Sequence, residues 1–267
     1  MKRLQDKIAV VTGGNGVLGG AIAKGFAAEG AKVGIMGRTE ATVNQKVEEI
    51  KAAGGDAFAL VADVLDREQL EACKESVLQN YGQVDILVNA AGGNVKGAVI
   101  TPEQSIFDLN IEDFDKVNHL NFKGTLLPTL VFAKEMVEQK KGGSIIQTAS
   151  IYGLLGPDSR IYEGSSYMGQ EINTPAVYSA SKAAVIGLTK YLATYWADKN
   201  IRVNCLTPGG VESGQNDVFK DKYSNRVPLG RMGRPDEMVG ALLYLASDAS
   251  SYVTGQNIIV DGGWSAW

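Results

Sequence analysis

Thr12-Gly13-Gly14-Asn15-Gly16-Val17-Leu18-Gly19-Gly20 joins a short apolar run at 8–12 to a helical pattern at 17–29. A glycine-rich turn between a strand and a helix lets backbone N–H groups and the positive helix end approach a pyrophosphate. A tight turn without a ligand is the plain alternative. The strand–turn–helix context near the chain start favours dinucleotide binding through Gly13, Asn15, Gly16, Val17, Leu18 and Gly19.

Outward from that turn, apolar runs at 32–36, 56–62, 86–89, 144–149, 202–206 and 257–260 alternate with helical patterns. The helices fall at 40–53, 67–80, 111–139, 175–199 and 237–246. Strands apolar on both faces, alternating with helices, mean a parallel sheet covered on both sides. The expected fold is therefore α/β: a doubly wound sheet of seven parallel strands with ligands at their carboxyl ends. No repeat or linker divides the chain, so residues 1–267 are read as a single domain. Two segments, 153–174 and 209–235, are too long to be plain connectors.

Composition removes several functions. His119 is the single histidine among 267 residues, which excludes histidine-rich metal sites, and no metal is expected. Cys73 and Cys205 form no CxxC pair, so neither a zinc knuckle nor a disulfide framework is suggested, and free thiols fit a reducing cytosol. The 26 basic and 30 acidic residues are interspersed, leaving no footprint for nucleic acid or anionic membrane. A polar start and the lack of a long apolar run lead us to expect a soluble, cytoplasmic protein. The 32 glycines follow no Gly-X-Y period, so they serve turns and close backbone approach.

Cofactor choice is read at the end of the second strand. An acidic residue there would bond the ribose hydroxyls and favour NAD. This chain has Gly37-Arg38, and a guanidinium can grip a 2′-phosphate bidentately, so NADP is expected, with NAD as the alternative if Arg38 is only solvated. Asp63 is placed to accept from the adenine amino group with Val64 against the ring; a turn or helix cap is its other role. Asn89, Ala90, Ala91 and Gly92 put small residues where a flat ring passes close.

The chemistry sits in Tyr178-Ser179-Ala180-Ser181-Lys182. Positions i and i+4 share a helix face, so the phenol and the ammonium project side by side. A neighbouring cation stabilises a phenolate, so Lys182, together with a cationic nicotinamide, is expected to lower the Tyr178 pKa. Tyr178 then gives a proton to a carbonyl oxygen or takes it back. Ser150, ending the fifth strand at the same sheet edge, can orient that oxygen.

TGxxxxxG at Thr12 to Gly19, the NAAG segment at Asn89, Ser150, YxxxK at Tyr178 and the Pro208-Gly209 turn occur in order. Together they resemble the single-domain branch of the short-chain dehydrogenase/reductase family, with its Rossmann fold, over essentially the whole chain. The resemblance implies that Asn121 is a fourth catalytic residue, holding a water that links Lys182 to solvent; a helix-bending hydrogen bond is the other reading. It also implies that Lys182 and Tyr178 touch the cofactor, with Pro208, Gly209, Val211 and Ser213 near the nicotinamide. His119 matches no catalytic position. A homotetramer is implied, with a dimer as the alternative. The paired Trp264 and Trp267 near the C-terminus are expected at a subunit contact.

Three departures from the family pattern stand out. Val17 takes the place of the middle glycine, with Gly16 one position earlier. Ala90 replaces the second asparagine of the usual NNAG. Ser150 and Tyr178 are separated by 27 residues, against about a dozen in the family, which exceeds an ordinary connector. The insertion holds Asp158, Arg160, Tyr162, Glu163, Ser165, Ser166, Tyr167, Gln170, Glu171 and Asn173, so it is read as a wall or lid of the substrate pocket. Its phenols and polar groups suit a sugar or polyhydroxylated acid; a surface excursion without substrate contact is the alternative. Gly92-Gly93-Asn94-Val95-Lys96 and the stretch around Phe122 to Phe132 resemble sugar-acid reductases of the mannonate/fructuronate type. Tyr162-Glu163-Gly164 and the Gly262 to Trp267 tail resemble relatives in bacterial surface- and flagellar-glycan pathways.

The reading is an NAD(P)-dependent oxidoreductase acting on a carbonyl or secondary alcohol of a small polar substrate such as a sugar or sugar acid. A 3-oxoacyl-thioester reductase shares every motif but gives the polar insertion no role. A non-catalytic NADP(H)-binding sensor or scaffold is the alternative from another class.

Overall fold

Along β1 (Ile8–Thr12) every residue is buried, and alternate side chains enter opposite cores. Ala9 and Val11 face one side of the sheet, Ile8 and Val10 the other, which is the period-two geometry of a strand covered on both faces. The computed structural model describes residues 2–100, 104–167 and 170–267.

The chain continues through α1 (Val17–Ala28), β2 (Lys32–Gly37), α2 (Glu40–Ala52), β3 (Asp56–Val61), α3 (Arg67–Tyr81) and β4 (Ile86–Asn89). Then come α4 (Ile111–Asn118), α5 (Gly124–Glu138) and β5 (Gly143–Thr148). A hairpin of β6 (Ser166–Tyr167) and β7 (Gln170–Glu171) precedes α6 (Ala176–Tyr195) and β8 (Ile201–Pro208). The remainder is α7 (Asp217–Ser224), α8 (Val239–Ala246) and β9 (Asn257–Val260). The main sheet has seven strands in the order β3-β2-β1-β4-β5-β8-β9, every pair parallel. Thr12 is level with Met36 on one side and Asn89 on the other, so the carboxyl ends of the central strands form one edge.

One face of the sheet packs on α1, α2 and α8 through Ile22, Phe26, Val47 and Leu242. The other packs on α3, α5 and α6 through Leu70, Val77, Phe132 and Leu192. A third, smaller apolar core lies outside the sheet. It is made of Ile151, Ile161, Phe219, Tyr223, Val227, Met232 and Trp264, drawn from both long loops and the C-terminal tail. Among the described residues no helix is long and apolar enough to cross a membrane.

Three segments depart from the sequence reading. The single helix expected at 111–139 is broken by a π-helical turn, His119–Lys123. Pro128 lies inside α5 and has no N–H to give the carbonyl of Gly124, and Thr125 Oγ1 bonds back to the Asn121 carbonyl at 2.7 Å. The loop at 209–235 holds α7, capped by the Asn216 side chain accepting from Phe219 N–H at 3.1 Å. The insertion at 153–174 folds into a 3-10 turn, Ser159–Tyr162, and the antiparallel pair β6 and β7; positions 168 and 169 and the side chain of Gln170 lie outside the described residues.

Candidate active site

The turn after β1 is shaped by what its glycines lack. Gly13 sits at φ +65°, and a Cβ there would come within 2.9 Å of the Ala91 backbone. A Cβ on Gly19 would collide with the Gly13 carbonyl. Helix α1 starts at Gly16 with no side-chain cap and no acidic residue in its first turn. Its free N–H groups and positive end therefore face the groove without a protein anion to satisfy them, which fits a pyrophosphate. Val17, the departure from the family glycine, is half-exposed on the groove wall.

That groove encloses about 570 Å³ along the sheet edge. From the predicted cofactor set it is lined by Gly13, Asn15, Gly16, Val17, Leu18, Gly19, Arg38, Asp63, Val64, Ala90, Ala91, Gly92, Tyr178, Lys182, Pro208, Val211 and Ser213. The residues present fit a dinucleotide from end to end. At the far end Arg38 is 73% exposed, with its NH1 3.9 Å from Asp63 Oδ2. The other Asp63 oxygen accepts from Leu65 N–H at 2.9 Å, so Asp63 closes a turn as well as facing the groove.

Two predicted cofactor residues are placed differently. Asn89 is buried behind the wall, where its amide donates to Thr129 Oγ1 and Gln147 Oε1, both at 2.8 Å, tying β4 to α5 and β5. Gly209 N–H bonds the Val260 carbonyl at 2.9 Å, and a Cβ there would come within 2.8 Å of Asp261, so it serves β9 rather than the groove. Both were legible as small or polar residues after a strand, but which way they face is decided by the sheet.

At the other end four elements converge. Asn121, in the π turn, is fully buried; its Oδ1 accepts from Gly93 N–H at 2.8 Å and its Nδ2 donates to Ser181 Oγ at 3.1 Å. Lys182 Nζ donates to the Thr148 carbonyl at 2.9 Å. A Cβ on Gly92 would stand 2.9 Å from Asn121 Oδ1 and 3.2 Å from Lys182 Nζ, so Gly92 marks the point where the two side chains meet. The π turn thus carries the helix-bending bonds as well as the convergence on Lys182. His119, at its start, is exposed and away from the groove. Gly93 was read only as following a strand at the cofactor, and Ser181 and Thr148 were given no role, because no sequence spacing links any of the three to Asn121.

Electrostatics at this end are governed by burial. Lys182 is 5% exposed, and desolvation lowers its ammonium pKa to about 8. Burial raises the Tyr178 phenol, opposed by a hydrogen bond with Ser150. The expected lowering by Lys182 is therefore not present within the protein alone. The ammonium, 5.8 Å from the phenol ring centre, is turned to the Thr148 carbonyl.

The insertion reaches the groove. Tyr167 of β6 lines it beside Tyr178, Lys182 and Ser213. Tyr167 pairs with Gln215, and Asn216 N–H bonds the Ser166 carbonyl at 2.9 Å, so both long loops are zipped together. Lys222 Nζ donates to the Glu163 carbonyl at 2.7 Å, and Arg226 pairs with Asp158. Beneath them Trp264 is buried on Tyr223, ring centres 4.3 Å apart. The expectation that both tail indoles sit at a subunit contact is corrected for Trp264, which is buried in the small core shared by the two long loops; Trp267 is exposed, its Nε1 donating to the Arg226 carbonyl at 3.2 Å.

A family model described as Enoyl-(Acyl carrier protein) reductase matches residues 15–265. The uncharacterized oxidoreductase UxuB of Bacillus subtilis is 37% identical over 100% of this chain and 97% of its own. The 3-oxoacyl-(acyl-carrier-protein) reductase FabG of Thermotoga maritima is 36% identical over 98% of both. Among solved structures, a candidate D-mannonate oxidoreductase from Haemophilus influenza with bound NAD has a TM-score of 0.87 at 30% identity, covering 99% of this chain and 97% of that one. A gluconate 5-dehydrogenase from Burkholderia cenocepacia, in complex with NADP and tartrate, has a TM-score of 0.84 at 30% identity over the same shares. A glycine cradle, a buried lysine beside a tyrosine, and relatives matched over nearly their full length lead to one conclusion: the chain belongs to the short-chain dehydrogenase/reductase family and is an NAD(P)-dependent oxidoreductase.

Proposed function

We propose that the protein interconverts a carbonyl and a secondary alcohol on a sugar acid or a related polyhydroxylated substrate, with NADP(H) preferred over NAD(H). The observation that carries this reading is the joining of Asn121, Ser150, Tyr178 and Lys182 at one end of the groove under a lid rich in phenols and hydrogen-bonding groups. When bound, the nicotinamide gives or accepts the hydride. Ser150 holds the substrate oxygen, and Tyr178 transfers the proton between its phenol and that oxygen. Lys182 supplies positive charge beside Tyr178 and binds the cofactor ribose, and Asn121 fixes Gly93 and α6 around it. The NADP preference rests on Arg38, whose exposed guanidinium stands at the groove mouth with no acidic residue at the end of β2.

Sugar-acid chemistry is supported by the gluconate 5-dehydrogenase and D-mannonate oxidoreductase neighbours. A second reading, reduction of a 3-oxoacyl thioester, is favoured by the FabG relative. The deciding experiment is turnover with NADPH and NADH on oxo-hexonates and on acetoacetyl thioesters. Preference for the hexonates supports the first reading, and preference for the thioester replaces it. Binding of NADPH with no turnover of any carbonyl supports a sensor instead. We also propose a homotetramer, because α6 exposes a stacked Tyr191–Tyr195 pair and edge strand β9 exposes Ile259; light scattering of the purified protein tests this, and a monomer overturns it.

A further inference from the structure

Among the described residues of the insertion, Tyr167 alone lines the groove, on a wall it shares with Tyr178, Lys182 and Ser213. Its place there is set by backbone. Strand β6 is held along both edges: Ser166 and Tyr167 pair with Glu171 and Gln170 of β7 on one side, and Tyr167 bridges Gln215 on the other. Ser166 N–H donates to Asn216 Oδ1 at 3.1 Å, and Asn216 N–H donates to the Ser166 carbonyl at 2.9 Å. The segment on that second side belongs to the groove as well. Gln215 Oε1 accepts from Ser213 N–H at 2.8 Å, its Nε2 donates to the Val211 carbonyl at 3.0 Å, and both Val211 and Ser213 line the groove. The half-buried Tyr167 is therefore mounted on the insertion and the second loop at once. Its hydroxyl finds no hydrogen-bond partner among the described residues.

A phenol on a groove wall is bonded by water until a ligand displaces that water. The ligand must then accept from the hydroxyl, because a donor stripped of water and left unpaired costs more than one bond gains. We propose that Tyr167 selects the substrate: its O–H donates to a substrate hydroxyl oxygen on a carbon other than the one oxidised or reduced. The clasp of β6 on the second loop holds it in place for that contact. A hydrocarbon chain passing the same point leaves the phenol unpaired, so the residue favours hydroxylated substrates and disfavours acyl chains. This deepens the reading of a polyhydroxylated substrate and rests on it.

The test compares 5-oxo-gluconate with 5-oxohexanoate, which share carbon chain, carboxylate and carbonyl and differ only in their hydroxyl groups. The readouts are kcat and KM for each with NADPH, and the NADPH dissociation constant from a fluorescence titration. The wild type should favour 5-oxo-gluconate. Tyr167→Phe should cut that preference by about tenfold, through a higher KM for 5-oxo-gluconate and a lower one for 5-oxohexanoate, with NADPH affinity nearly unchanged. Tyr167→Leu removes the same hydroxyl by another route and should shift the preference in the same direction, so the result does not hang on one variant folding. A Tyr167→Phe variant that keeps the preference overturns the assignment and leaves the sugar-acid reading in place. So does one that loses NADPH affinity to the same extent, since Tyr167 would then serve the cofactor. A wild type that favours 5-oxohexanoate, or that reduces neither oxo acid, overturns both.

Discussion

At the nucleotide end of the groove, Gly13 and Gly19 build the wall by having no side chains. At the substrate end, Tyr152, Tyr162, Phe219, Tyr223 and Trp264 build theirs by filling space. The first half is rigidly attached to the sheet: the turn leaves β1 and enters α1 within a few residues. The second half is two long loops and a tail that hold one another through a private core and a few cross-loop bonds. The difference teaches where specificity can change. A cradle defined by absent atoms leaves little room for added side chains, while the two loops and the tail carry an apolar core of their own, separate from the cores of the sheet.

The hardest test of that division is Tyr178→Phe, at the seam between the halves. It should lower kcat by about 10²- to 10⁴-fold, the range for a positioned proton donor. A fluorescence titration should show NADPH binding nearly unchanged, and retained turnover would sink the catalytic assignment. Next is Trp264→Ala in the lid core, expected to cost about 3–5 kcal/mol as a buried large-to-small change. If the lid is a separate unit, the melting temperature falls and KM for substrate rises while NADPH affinity holds. A parallel loss of cofactor affinity would merge the two halves. Gly19→Ala forces a methyl onto the Gly13 carbonyl and should cost about 1–3 kcal/mol of overpacking, read as weaker NADPH binding with the substrate preference intact.

Lys182 gives a pH signature. Its ammonium titrates at about 8 in the folded protein against 10.5 when free. Below pH 8 both states are protonated and the burial penalty is constant. Between those values the unfolded chain holds the extra proton, so stability rises with pH. Melting curves should therefore show the wild type gaining on Lys182→Met across that window, and a flat difference would contradict the buried ammonium. The smallest effect belongs to Arg160→Ala on the lid surface. Its guanidinium side is 80% exposed, so the change should stay within about 1 kcal/mol.

How much of this was legible follows from the range of each interaction. The Gly-rich turn, the seven apolar runs and the Tyr178–Lys182 spacing are local patterns, and all seven strands form where periodicity placed them, within a residue or two at most ends. Helix α7 escaped notice because its apolar side, Phe219 and Tyr223, is short and embedded in a glycine- and proline-rich loop. At Asn121 the sequence offered a helix-bending hydrogen bond as one of two readings, but not the π turn, whose partners Gly93 and Ser181 are near Asn121 only in space. Asn89 read as a groove residue because sequence cannot say which face of the sheet edge a side chain takes.

By itself, then, the sequence determined the sheet, the cradle and the order of the chemical groups, since these rest on strand and helix periods and on residues whose backbone freedom is their function. Only the tertiary structure decided that Asn121 and Lys182 converge on Gly92, that Trp264 belongs to the core shared by the two long loops, and that Tyr162 stands between Thr174 and Tyr152. Those features depend on burial and on contacts between segments distant in sequence, which no local period encodes.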